Sequence, residues 1–168
     1  CWMAENLRTT QFRNGDALYH LNAFPAPDVS TAWWTTYMLT YSASMFGCMY
    51  NSTAVDDNRG LCPVNWHVAN LEEWSYLIQN YEFADLIETT GWSLPNGGLA
   101  NGTNSSGFSA KPGGVFDGQI GDLSGMAGVG WATYFHRGDG SVVLANNFIF
   151  EFGPWLSDDG FYVRCVKD

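Results

Sequence analysis

The sequence predicts a loop-rich α+β fold: a small twisted antiparallel sheet, one or two helices, and chain ends that lie side by side. Three observations carry that expectation. Nineteen glycines and six prolines interrupt most helical patterns. One stretch, LCPVNWHVANLEEW at 61–74, contains a complete helix-start signature. Beyond residue 131 the apolar period changes to that of strands.

Taken in order, WMAENL at 2–7 and RTTQFRNGD at 8–16 predict an early strand or arm that turns at Asn14-Gly15. Residues 22–32, with two prolines, predict a loop in which Asp28 or Ser30 caps a short helix through Trp33, Trp34, Tyr37 and Met38. Residues 46–53 lead into Asp56-Asp57-Asn58-Arg59-Gly60, a polar turn that delivers the chain to Cys62. Asn70 and Glu73 have the spacing of a capping box, in which each side chain satisfies the other's free backbone N–H. The helix that follows buries a stripe of Leu71, Trp74, Leu77, Ile78 and Tyr81 and leaves Glu72, Glu73, Ser75, Gln79 and Asn80 in water. A further helical turn over 83–87 is expected to end at Gly91.

Residues 92–130 hold eleven of the glycines, between Gly97 and Gly130, and predict irregular backbone anchored by Trp92, Phe108 and Phe116. A long ordered loop of this kind is usually functional. Strands follow at 131–136, at 141–145 after a turn at Gly138-Asp139-Gly140, and in two alternating runs, Phe148, Phe150, Phe152 and Phe161, Val163, Cys165.

A length of 168 residues predicts one domain, 1–168, able to form a core without metal or partner. The content of 46% hydrophobic and 16% aromatic residues excludes disorder, and no apolar run reaches the roughly 20 residues of a membrane span. A formal net charge of −10, from 17 acids against 7 bases, excludes nucleic acid and anionic lipid as partners. Four cysteines point to an oxidising, extracellular or cell-surface setting. Of the three pairings they allow, Cys1–Cys165 with Cys48–Cys62 is expected, because chain ends often pair as neighbouring strands; free buried thiols are the alternative.

Catalytic signals are sparse. His20, His67 and His136 are far apart and lack a second ligand at zinc spacing, so His67 reads as a packed structural histidine. No nucleophile elbow, phosphate-binding loop or His-Glu-x-x-His helix occurs. Asp56, Asp57 and Asn58, and Asp158 with Asp159, supply oxygen clusters, which read as solvated turns; calcium is possible but unsupported, and no cofactor is expected. Arg137-Gly138-Asp139 reads as a glycine-flanked turn, and Asn51, Asn101 and Asn104 begin glycosylation sequons on predicted loops. Trp92, Trp131, Tyr134 and Trp155 form a candidate stacking platform for sugar or protein, weighed against a place in the core.

WMAENLRTT near the start, LCPVNWHV before the EEW helix, TNSSGFSAKPGG at 103–114, GW at 130–131 and FYVRCVKD at the end occur in the order and spacing of one family. In these motifs the chain resembles the Fibrobacter succinogenes major paralogous domain family. That resemblance implies a C-type-lectin-like fold, related to the formylglycine-generating-enzyme fold, in bacterial surface or secreted proteins. Formylglycine-generating relatives work through a close cysteine pair near the C-terminus, where Cys165 stands alone, so enzyme activity is not expected. The signatures of calcium-dependent sugar-binding lectins are missing, although Leu94-Pro95-Asn96 occupies a loop of the right kind, which makes Asn96, with Asn101 and Asn104, a candidate polar contact. Family members usually carry a strand and turn before WMAENL, so one sheet edge is expected either to do without that segment, trimmed or not needed, which is the favoured reading, or to be completed by a neighbouring subunit.

The expectation for function is a non-catalytic extracellular protein acting in adhesion, or as a subunit of a self-assembling structure such as a filament. Its partners are then itself or other surface proteins. The alternative is a lectin-like module that binds glycan or protein through residues 92–130. An enzyme on the formylglycine-generating scaffold ranks last.

Overall fold

A seven-stranded mixed sheet is the largest of the three sheets among the described residues of the computed structural model. The structure describes residues 1–22, 28, 30–36, 43–93, 98–100, 102–118, 126–127, 130, 132–137, 140–145, 148–152 and 158–168. The strands are β1 (Tyr19–His20), β2 (Trp33–Thr35), β3 (Met49–Tyr50), β4 (Trp66–Val68), β5 (Val115–Phe116), β6 (Met126–Ala127), β7 (Ala132–His136), β8 (Ser141–Ala145), β9 (Phe148–Phe152), β10 (Phe161–Tyr162) and β11 (Cys165–Lys167). The helices are α1 (Ala43–Phe46), α2 (Ser52–Val55), α3 (Leu71–Asn80) and α4 (Phe83–Leu86). The main sheet runs β1-β2-β3-β10-β7-β8-β9, with separate pairs β11-β4 and β5-β6.

Two features differ from the expected small antiparallel sheet with one or two helices. The sheet is mixed, because β10 enters late in the chain between β3 and β7 and runs antiparallel to the first and parallel to the second. β1 and β2 are parallel as well. Among the described residues there are four helices, three of them single turns of four residues.

α3 forms where its local signals place it. The Asn70 side chain accepts from the Glu73 N–H at 3.0 Å, and Glu73 accepts from the Asn70 N–H at 2.9 Å. Trp74 and Leu77 are buried, and Ile78 and Tyr81 pack partly against them. Leu71, at the first helical position, is 41% exposed rather than buried. α4 ends at Leu86, before Gly91.

The helix expected through Trp33 and Trp34 is instead strand β2. Trp and Thr favour the pleat, and the strand alternates buried and half-buried positions. Its ends are pinned by side chains: Asn51 Oδ1 accepts from the Trp33 N–H at 3.0 Å, and the Thr35 hydroxyl donates to Leu21 O at 2.9 Å. Asp28 spends its oxygen on the Ser30 N–H in a turn. Tyr37 and Met38 lie outside the described residues.

The β7-β8-β9 meander has the expected period. All five residues of β8 are buried, with Val142 and Leu144 in the main core around Trp33, Trp74, Trp92 and Phe135, and Val143 and Ala145 in a small cluster with Ala132. Gly138 and Asp139 of the expected turn lie outside the described residues; Arg137 N–H donates to Gly140 O at 3.0 Å across it.

The chain ends do pair, as Trp2 bridges Val166, but the cysteines do not pair as expected. The disulfide joins Cys62 to Cys165, with 6.0 Å between their Cα atoms and 103 residues between them in sequence. The reason is register. Bridging Trp2 to Val166 sets Cys1 against Lys167, whose N–H donates to Cys1 O at 2.9 Å, two residues out from Cys165. Meanwhile β11 lies antiparallel to β4, with Cys165 opposite Val68, and a tight turn through Asn65, whose φ is 64°, leads back to Cys62. Cys1 is an exposed thiol and Cys48 a buried one. Burial pushes the Cys48 thiol up to about 11.

Candidate functional site

The WMAENL, TNSSGFSAKPGG and FYVRCVKD motifs meet at Arg164, which is 1% exposed. Its Nε donates to Asn6 Oδ1 at 2.7 Å, Nη1 to Met3 O and Phe108 O at 2.7 Å each, and Nη2 to Ser109 O at 3.3 Å. The guanidinium lies 4.2 Å from the centre of the Phe108 ring. Burial lowers its pKa to about 9, so it is cationic at neutral pH.

Loop 103–109 is delivered to that cation by Asp85, which accepts from the Thr103 and Ser105 hydroxyls at 3.0 and 2.6 Å. Asn104 and Ser109 hold left-handed backbone, with φ of 51° and 56°, and bond each other across the turn. Gly113 is required by contact: a Cβ there would collide with the Tyr162 hydroxyl.

On the other side of Phe108 the loop, the N-terminal arm and α3 enclose a groove of about 300 Å³, lined by Cys1, Trp2, Met3, Tyr76, Leu77, Tyr81, Ser106, Gly107 and Phe108. Trp2 meets Trp74 edge-on at 4.8 Å and Phe108 at 5.6 Å, and Trp74 meets Phe108 at 5.7 Å. This interlocked cluster fixes the aromatic floor. Tyr76, 67% exposed, stands at the edge. Among the described residues none of the lining side chains carries a charge. Aromatic faces beside Tyr and Ser hydroxyls suit an uncharged ring or an apolar side chain that also needs a few hydrogen bonds.

Among the described residues, the three expected to bind ligand, Trp92, Asn104 and Tyr134, do not form a common surface. Trp92 is 1% exposed, donates its indole N–H to Ala110 O at 2.9 Å and packs edge-on against Phe83. It belongs to the core and not to a surface platform, because a buried indole donor and Phe83 hold it there. The Asn104 amide is committed to Ser109. Tyr134 is half-buried on the opposite face of β7 from the main core, stacked on Phe161, and burial raises its phenol. Asn96, Asn101, Trp131 and Trp155 lie outside the described residues. Trp2 and Tyr76, which line the groove, were not among the expected site residues. Tyr76 had a signal, as an aromatic side chain off the apolar stripe of α3.

The titratable groups are occupied by structure. His136 is buried, donates Nε2–H to Tyr50 O at 2.7 Å, and is lowered by burial to about 4. His20 stacks on Trp34 at 4.1 Å. His67 bridges Asp168 at 2.6 Å and Glu73 at 2.9 Å; the Asp168 bond does most to raise its pKa. Asp57 is gripped by Arg59 at 2.7 Å, and their hydrogen bonds lower its pKa to about 2. Among the described residues no three His, Cys, Asp or Glu side chains gather to hold a metal. Asn51, expected on a loop as a sequon, is fully buried as the N-cap of α2, so it is closed to glycosylation in the folded chain. Arg137 of the Arg-Gly-Asp tripeptide is 8% exposed and pairs with Glu151 at 2.8 Å. No described helix is long and apolar enough to cross a membrane.

The family model of the Fibrobacter succinogenes major domain matches residues 1–167. No curated protein and no solved structure matches the chain.

Proposed function

The chain belongs to the Fibrobacter succinogenes major domain family, and from that premise we propose that it is a non-catalytic extracellular or cell-surface module acting in adhesion, with the groove between Trp2, Tyr76 and Phe108 as its contact site. The scaffold in this reading is C-type-lectin-like, supported by the side-by-side chain ends and by α3 packed on a mixed sheet. The groove carries the proposal: an aromatic floor locked by edge-on contacts, uncharged walls, and Tyr76 extended into solvent. Its ligand is a glycan ring or an apolar side chain of a surface protein. The disulfide and the occupied histidines support a binding role over a catalytic one. Screening glycan and surface-protein arrays, with and without calcium, tests the reading. Calcium-independent retention that Tyr76→Ala removes is expected; retention unaffected by Tyr76→Ala, or none on any array, overturns the groove.

A second reading, self-assembly, rests on β9. This strand, FIFEF, ends the order of the seven-stranded sheet and leaves Phe148 62% exposed. Its partner would be a second copy. Sizing and electron microscopy of concentrated protein check it: oligomers or filaments that Phe148→Lys disperses are expected, and a strict monomer refutes it.

A further inference from the structure

Three of the seven basic residues, Arg8, Lys111 and Arg164, line one partly open cavity with Glu5, Asn6 and Ser109. Its free volume is about 10 Å³, the room of one water-sized sphere. The charges in its walls do not cancel. Glu5 pairs with Arg8 at 2.8 Å, and Glu88 reaches Lys111 at 3.7 Å. Arg164 is bonded to four neutral oxygens, those of Asn6, Met3, Phe108 and Ser109. A guanidinium has five N–H donors, so these four bonds leave one to spare. Counting Glu88, the cluster holds three cations against two anions, in a chain whose net charge is −10.

Burying a cation without an opposite charge in contact is costly, and neutral carbonyls offset only part of that cost. We propose that the cavity binds a monoatomic halide, with chloride as the natural ligand, held by Arg164, Lys111 and Arg8. The enclosed part of the space has room for one sphere, which favours a monoatomic ion over a tetrahedral sulfate or phosphate. The ion compensates Arg164 and ties residues 5–8 to Ser109 and Lys111. Because the loop that contributes Ser109 also contributes Ser106, Gly107 and Phe108 to the aromatic groove, halide binding stiffens one wall of that groove.

The test exchanges chloride for gluconate or sulfate at constant ionic strength, which holds screening fixed. Thermal unfolding of the natural chain in chloride or bromide is expected to show a saturable rise in Tm of a few degrees over gluconate, whereas sulfate shows only the non-saturating rise of an excluded salt. Lys111→Met, at a side chain that is 30% exposed, abolishes most of the rise and the protein-induced broadening of the ³⁵Cl resonance. Anomalous diffraction from a bromide-soaked crystal of the natural chain places one ion beside Arg164. Equal Tm in chloride and gluconate, broadening unchanged in Lys111→Met, or a bromide map empty at Arg164 overturns the proposal.

Discussion

Arg164 and His67 both fasten the C-terminal segment to the body of the chain, one from inside and one from outside. Arg164 is 1% exposed and holds the N-terminal arm and loop 103–109 through neutral oxygens. The His67 side chain is 40% exposed and sits between two carboxylates, Glu73 and the Asp168 side chain. The outer site has the better charge complement, yet the inner one is expected to matter far more. Water and salt replace most of what the outer ion pairs supply, whereas nothing replaces the inner bonds when the cation is removed. Three of the family motifs converge at Arg164, so the signature of this family marks a structural knot. The groove beside it makes that knot a support for binding.

The largest expected effect is at the covalent side of the inner knot. Replacing Cys62 and Cys165 together by alanine should cost about 4–5 kcal/mol, since the bond closes a loop of 103 residues. Denaturant unfolding checks this, and a loss below 1 kcal/mol breaks the view of the C-terminal segment as anchored inside. Next, Arg164→Met should cost about 3 kcal/mol, because the oxygens of Met3, Phe108 and Asn6 are left buried without a donor. In the same assay His67→Gln should cost less than about 1 kcal/mol. Equal losses at the two sites would erase the distinction between them.

Smaller still, Asn70→Ala removes the cap of α3 and should cost about 1 kcal/mol, read in the same way. The smallest effect is the pH dependence of the outer site. The His67 pKa is raised above its ordinary value of 6.5 by Asp168 and Glu73. Its contribution is therefore complete below about pH 6.5, provided the carboxylates are ionised, and is lost as pH rises through the folded value. Imidazole shifts followed by NMR from pH 5 to 9 should show that raised midpoint, and Asp168→Asn should lower it. An unmoved midpoint would detach the chain end from His67.

Legibility followed the range of the interactions. The capping box of α3 was readable because Asn70 and Glu73 are three residues apart and their bonds need nothing else. The strand periods of β7, β8 and β9 were readable for a similar reason. β2 was not, because what holds Trp33 in a strand is Asn51, 18 residues on. In the site, Trp92 could be read as platform or, the favoured reading for such aromatics, as core, and its bond to Ala110 and contact with Phe83 placed it in the core. Tyr76 showed itself as an aromatic residue off the apolar stripe, but nothing local tied it to Trp2 and Ser106.

By itself the sequence determined the position of α3, the strand-rich C-terminal third, the pairing of the chain ends and the family. Tertiary structure alone decided which cysteine Cys165 meets, the insertion of β10 between β3 and β7, and the burial of Arg164. Local caps and periods depend on neighbours a few residues away, whose identities are written side by side. Register depends on which distant strands win a common partner, and a shift of two residues at Trp2 and Val166 is enough to send Cys165 to Cys62 rather than Cys1.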